Sequence, residues 1–223
     1  MNWQFLKPTL TFEFKPSLIL GTLLLTTAFA LPVGINRSFA NAETTQEVTY
    51  EQRLFEIGLK FTLYFEGGFS NHPADLGGRT YRGIIQSEYD AYRQRRGLPP
   101  LDVTQMSDAE LMEIYQSYWQ GSGAGAMNPA LAVVMFDTAV NFGINNSITF
   151  LQQSLGLPQT GVFDQKTKEA LVTGNNINTA LQVINERILY RYKRVQENPS
   201  QMAFFVGWLN RDYSLWNYVQ KIQ

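Results

Sequence analysis

Apolar side chains crowd the stretch from Thr49 to Phe65, at Leu54, Phe55, Ile57, Leu59, Phe61, Leu63 and Phe65, and Gly67-Gly68 ends it. This density predicts a helix whose C-terminus holds Glu66. From Phe69 to Ile85 the pattern changes. Pro73, Gly77, Gly78 and Gly83 interrupt short apolar pieces, which predicts an irregular loop with a small β-hairpin and excludes helix. Ser107-Asp108-Ala109-Glu110 reads as a capping box ahead of Leu111, Ile114, Tyr115 and Tyr118, a helical face running to about Trp119. Gly121-Ser122-Gly123-Ala124-Gly125 breaks it. Asn128-Pro129 restarts a helix, and the run Leu131 to Asn141 is apolar enough to be buried nearly all round.

A second unit is expected from Ser147. Leu151, Leu155 and Gly156 close a short helix, Asp164 caps another that ends at Gly174, and Asn178 is placed to cap a long helix through Leu181, Ile184, Ile188 and Tyr192. Asn198-Pro199-Ser200 starts the last helix, which carries Phe204, Phe205, Trp208 and Leu209. The expected class is mainly α with one small β element, its two units sharing an interface because no low-complexity linker separates them.

The N-terminus reads as an address. Lys7 and Lys15 precede the apolar run at Leu18 to Leu25, and Ala40-Asn41-Ala42 offers small residues for cleavage, so residues 1–42 are expected to be a signal peptide. Pro32 and Gly34 interrupt the run before it reaches the ~20 apolar residues of a membrane span. On that reading the protein is secreted or periplasmic and meets the membrane only in transit. Removing the segment takes away Lys7, Lys15 and Arg37 but only Glu13 among the acids, so 18 basic and 19 acidic residues become 15 and 18. A mildly acidic chain lacks the basic excess that nucleic-acid binding needs, and the cluster Arg93, Arg95, Arg96 reads as a solvated face. With no cysteine and the single His72, thiolate and imidazole metal sites are excluded, and no metal or cofactor is expected.

Candidate chemistry centres on Glu66. A helix C-terminus and apolar neighbours both disfavour the ionised carboxylate, so this side chain is expected to keep a proton. The paired glycines after it are expected to leave open space for a bulky ligand. Asp75 and Thr80 follow in the glycine-rich turn, as candidates to activate and hold a water. Asp137 and Asn141, four apart on one face of an apolar helix, need partners or a ligand. Tyr118 and Trp119 are candidates for sugar stacking or for the core.

The combination Glu66-Gly67-Gly68-Phe69, Pro73-Ala74-Asp75-Leu76-Gly77-Gly78-Arg79-Thr80 and Gly83-Ile84 resembles the signature of glycoside hydrolase family 108. The resemblance continues through Tyr115, Tyr118-Trp119 and Phe136-Asp137-Thr138-Ala139-Val140-Asn141-Phe142-Gly143. It runs on into Leu151 to Gly156 and Gly161-Val162-Phe163, which look like the predicted peptidoglycan-binding region of that family, and Gly207 to Arg211 fits the usual ending. Phe69, His72 and Tyr81-Arg82 depart from the family's common residues, as do Thr160 and Asp164 in the second unit.

The resemblance implies a lysozyme-like helical domain at 43–146 with a C-terminal helical predicted peptidoglycan-binding domain at 147–223. It also implies a monomeric N-acetylmuramidase acting on peptidoglycan glycan strands. Catalysis then carries over to Glu66, Asp75 and Thr80, with Asp137, Asn141, Tyr118 and Trp119 binding substrate. The rival readings are a lytic transglycosylase and a catalytically inactive cell-wall-binding protein.

Overall fold

The computed structural model describes residues 49–71 and 77–222. The expected signal peptide and Asp75 therefore lie outside the described residues. Thr49 caps the first helix, α1 (Tyr50–Phe65), through a full capping box with Gln52, and Glu66 stands at its C-cap.

Three two-residue strands follow: β1 (Phe69–Ser70), β2 (Thr80–Tyr81) and β3 (Ile84–Ile85), antiparallel in that order. Phe69 pairs with Tyr81 and Ser70 with Thr80, and on the other side Thr80 pairs with Ile85 and Tyr81 with Ile84. The element is thus a three-stranded sheet, one strand more than the expected hairpin. Arg82 and Gly83 turn the chain between β2 and β3 with φ of 49° and 78°, the left-handed pair that a two-residue hairpin turn requires. Arg82 is held in that costly conformation from outside, because the Tyr115 hydroxyl donates to its carbonyl at 2.7 Å.

The apolar pattern gives no sign of α2 (Gln86–Arg95), whose sequence is mostly polar. Its buried side is made of Tyr89, Tyr92 and Arg93. Arg93 corrects the expectation of a solvated face: its guanidinium meets Glu110 at 2.6 Å and its Nε donates to the Pro99 carbonyl at 2.6 Å. Two ring hydroxyls and an ion pair take the place of apolar periodicity here, since Tyr89 and Tyr92 donate to Glu110 and Glu113.

α3 (Asp108–Gly121) begins at the expected capping box of Ser107 and Glu110. α4 (Pro129–Phe142), capped by Asn128, is buried at every position from Ala130 to Val140 and forms the axis of the molecule. α1 lies against it so closely that a side chain on Gly58 would stand 3.0 Å from the Phe136 ring. Phe136 also makes edge contacts with Phe55, Tyr115 and Trp119, an aromatic cluster that locks α1, α3 and α4 together.

α5 (Ile144–Ser154), α6 (Gln165–Gly174), α7 (Ile177–Glu197) and α8 (Met202–Val219) complete the chain. Asn176, not Asn178, caps α7, since it is the Asn176 side chain that accepts from the Thr179 N–H. The change of unit expected at Ser147 falls inside α5, and residues 46–223 form one compact unit. The loop between α5 and α6 is organised by buried Gln152. Its amide donates to Thr160, Val162 and Thr167 and accepts from the N–H groups of Thr160 and Gly161.

The chain has a mainly α, lysozyme-like fold with a small sheet. Among the described residues no helix is long and apolar enough to cross a membrane, and no group of three or more His, Cys, Asp or Glu is placed to hold a metal.

Candidate active site

A cleft of about 580 Å³ opens where the end of α1, the sheet, the end of α4 and the helices α7 and α8 meet. That is the size of a typical ligand pocket. Glu66, Thr80, Asn141 and Tyr118 line it, as do Glu88 of α2 and the cations Arg191, Arg194 and Arg211.

Glu66 is positioned by two contacts of opposite kind. Its Oε1 accepts from Arg211 Nη1 at 2.7 Å, and its side chain is 13% exposed. Its other oxygen lies over Gly83, so close that a Cβ there would stand 2.6 Å from Oε2. Gly83 is therefore required twice, by its positive φ and by the carboxyl that occupies the space of its missing side chain. Gly67 and Gly68, expected to leave open space for a bulky ligand, have nothing within 4 Å of a built Cβ and no positive φ. The close approach belongs to the hairpin turn, 17 positions after Glu66.

Burial raises the pKa of Glu66, Arg211 lowers it, and Asp137 raises it; the balance stays above the ordinary glutamate value of 4.5. Arg211 fails to cancel the burial because it is shared. Its Nη2 and Nε also donate to Asp137, at 2.6 and 3.3 Å.

Asp137 lies behind the cleft rather than in it. Fully buried, it binds Arg211 and Arg187 and accepts from Thr62 at 3.1 Å, which corrects its expected place among substrate-binding groups. Burial alone would raise its pKa, but Arg211 and Arg187 outweigh that and hold it down at about 2. The chain of charges continues from Arg187 to Asp212 at 2.6 Å and from Asp212 to Arg191 at 2.7 Å. Three guanidiniums from α7 and α8 thus hold Asp137, Asp212 and one oxygen of Glu66. Such burial is tolerable only because every charge is paired.

Trp119 is likewise core, packed on Phe55 and Phe136 with its N–H donated to Glu51, and it does not reach the cleft. Tyr118 does reach it and donates its hydroxyl to Glu88. Burial raises the Glu88 pKa, with Tyr118 and Arg95 opposing. Thr80 donates its hydroxyl to the Gly78 carbonyl at 3.1 Å, which leaves its lone pairs for a water. Asn141 donates to the Asp137 carbonyl at 3.1 Å, leaving its amide oxygen for a ligand. Of the sequence candidates, the cleft brings together Glu66, Thr80, Asn141 and Tyr118.

Sequence reasoning missed Glu88, Arg191, Arg194 and Arg211. The polar residues at i, i+4 and i+7 of α7, namely Arg187, Arg191 and Arg194, are a legible signal, since such spacing puts three guanidiniums along one helical face.

Among solved structures, "Structure of Brucella abortus SagA" is similar, with a TM-score of 0.66 at 21% identity over 77% of this chain and 96% of that one. No curated protein matches. The glycosyl hydrolase 108 family model matches residues 59–143, a span that runs from the last turns of α1 to the end of α4 and includes Glu66, Thr80, Gly83 and Glu88. Over those residues the chain is similar to glycosyl hydrolase 108, and the match supports a glycoside hydrolase.

Proposed function

We propose that the protein is an N-acetylmuramidase that hydrolyses the β-1,4 bond between N-acetylmuramic acid and N-acetylglucosamine in peptidoglycan, with Glu66 as general acid. The observation that carries this reading is a carboxyl of raised pKa, at the edge of a sugar-sized cleft, with one oxygen held and the other open. Oε1 accepts from Arg211, so the proton resides on Oε2, which has no hydrogen-bond partner among the described residues. From there it passes to the glycosidic oxygen as the bond to the anomeric carbon breaks.

The second half of the reaction needs water on the opposite ring face. Thr80 accepts a hydrogen bond from that water, and Asp75 is assigned its orientation or deprotonation. Asn141 and Tyr118 bind the sugar through the amide oxygen and the ring. The region from Ser147 on forms the cation-bearing wall of the cleft and contacts peptidoglycan there.

Glu66→Gln tests the reading, because it keeps the size of the side chain and an acceptor for Arg211. Release of reducing ends from purified sacculi is expected to fall about a thousandfold while the thermal unfolding midpoint stays within a few degrees. Wild-type turnover should fall on the alkaline side as pH rises through the raised Glu66 pKa, since only the protonated acid is active. Normal turnover by the variant overturns the assignment. Products ending in 1,6-anhydro sugars would replace the hydrolase by a transglycosylase.

A further inference from the structure

Three cations line the cleft, and two of them are committed. Arg211 is bound to Glu66 and Asp137, and Arg191 to Asp212. Arg194, in the last turn of α7, faces no carboxylate among the described residues. Its Nε donates to the Gln201 amide oxygen at 3.1 Å, which fixes the guanidinium and leaves Nη1 and Nη2 without a partner among the described residues. The Trp208 ring carries it at 5.7 Å, and the same ring carries Arg191 at 5.2 Å. Phe204 stacks behind Trp208 at 5.8 Å.

A guanidinium whose Nε is tied and whose outer edge is open is a fork held ready for a planar anion. Trp208 adds a flat apolar surface beside it. The acids that line the cleft, Glu66 and Glu88, come from the other half of the chain, and both have pKa values raised by burial. The cleft is therefore polar in the electrical sense: carboxyls come from one wall and guanidiniums from the other. A glycan with an anionic substituent gains more from the second wall than a neutral one, because hydrogen bonds from a guanidinium to an ionised acceptor are roughly twice as strong.

We propose that Arg194, supported by Trp208, forms a subsite for a carboxylate carried on the muramic acid substituent. Two sources supply that chemistry, the stem peptide or the bare lactyl group. The proposal rests on the muramidase reading and narrows its substrate class to strands bearing such a charge. Arg194 as a mere helix-end cation would stabilise α7 without regard to the substrate.

The test measures KM for the full chain and for Arg194→Gln on purified sacculi and on amidase-stripped strands, each with and without carbodiimide conversion of carboxylates to amides. Loss of one charge-assisted pair is expected to raise KM about tenfold on the charged form, and the factor should shrink toward one on the neutralised form. A factor confined to sacculi assigns the stem peptide, and one confined to stripped strands assigns the lactyl carboxylate. Arg194→Lys should recover part of the affinity, because it keeps the charge without the fork. An equal rise in KM on charged and neutralised substrates overturns the subsite. Failure of the unmodified protein to cut any of these substrates instead removes the muramidase reading, and it is seen before Arg194 is changed.

Discussion

The two walls of the cleft are built by different means. The wall from the N-terminal half is made of chain ends and turns: Glu66 caps α1, Thr80 sits in a two-residue strand, Gly83 lies in a left-handed turn and Glu88 belongs to the first turn of α2. On the C-terminal side the wall is made of α7 and α8, where Arg187, Arg191 and Arg211 are buried in the helical bodies and cross-linked through Asp137 and Asp212. Turns place single atoms and contribute little burial. Packed helices carry charge at a fixed distance and bear much of the stability. A change in the first wall should therefore register as activity, and a change in the buried charge network of the second as unfolding.

The largest expected departure tests the helical wall. Asp137→Ala leaves Arg187 and Arg211 short of a buried counter-charge, a loss of about 3–5 kcal/mol measured by denaturant unfolding. A cost below about 1 kcal/mol would mean that the charges are solvated and the contrast between the walls is false. The intact network also sets a pH window. Because Arg211 and Arg187 depress the Asp137 pKa, the stability its ionised form supplies is complete above the unfolded value of 3.8 and is lost as pH falls toward about 2.

Gly83→Ala tests the turn wall and should act mostly on turnover. The new methyl would stand 2.6 Å from Glu66 Oε2, so the carboxyl must move, and kcat is expected to fall about 10- to 100-fold. The strain of an alanine at φ +78° adds about 1–2 kcal/mol of destabilisation. Smallest is Glu88→Gln, which keeps an acceptor for the Tyr118 hydroxyl. A two- to tenfold change in kcat/KM on sacculi, with unfolding unchanged, is expected from roughly one hydrogen bond's worth of altered binding. A loss as large as that of Glu66→Gln would instead make Glu88 a second catalytic carboxyl.

Helix caps were legible in the sequence because they are local chemistry. Thr49 stands at the start of α1, and the expected caps Ser107, Asn128 and Asp164 are caps. The central apolar helix was legible for a related reason, since a run without polar residues has few alternatives to burial. α2 was hidden because its buried side is tyrosine hydroxyls and a guanidinium, groups that pattern reading assigns to solvent. Glu66 is legible through the glycine-rich signature around it, but its contact with Gly83 is not, because proximity across a turn is invisible to spacing along the chain. Asp137 was recognised as a polar residue needing partners. Its partners lie 50 and 74 positions away, beyond any local rule.

Glu66 and Arg211 stand 145 positions apart. The group assigned the chemistry is in place early in the chain, but the cation that holds one of its oxygens belongs to the final helix. A nascent or cleaved chain that stops short of α8 has the acid and its hairpin without the guanidinium that fixes them. The carboxyl and the cation that holds it thus meet only when the final helix packs onto the rest of the chain.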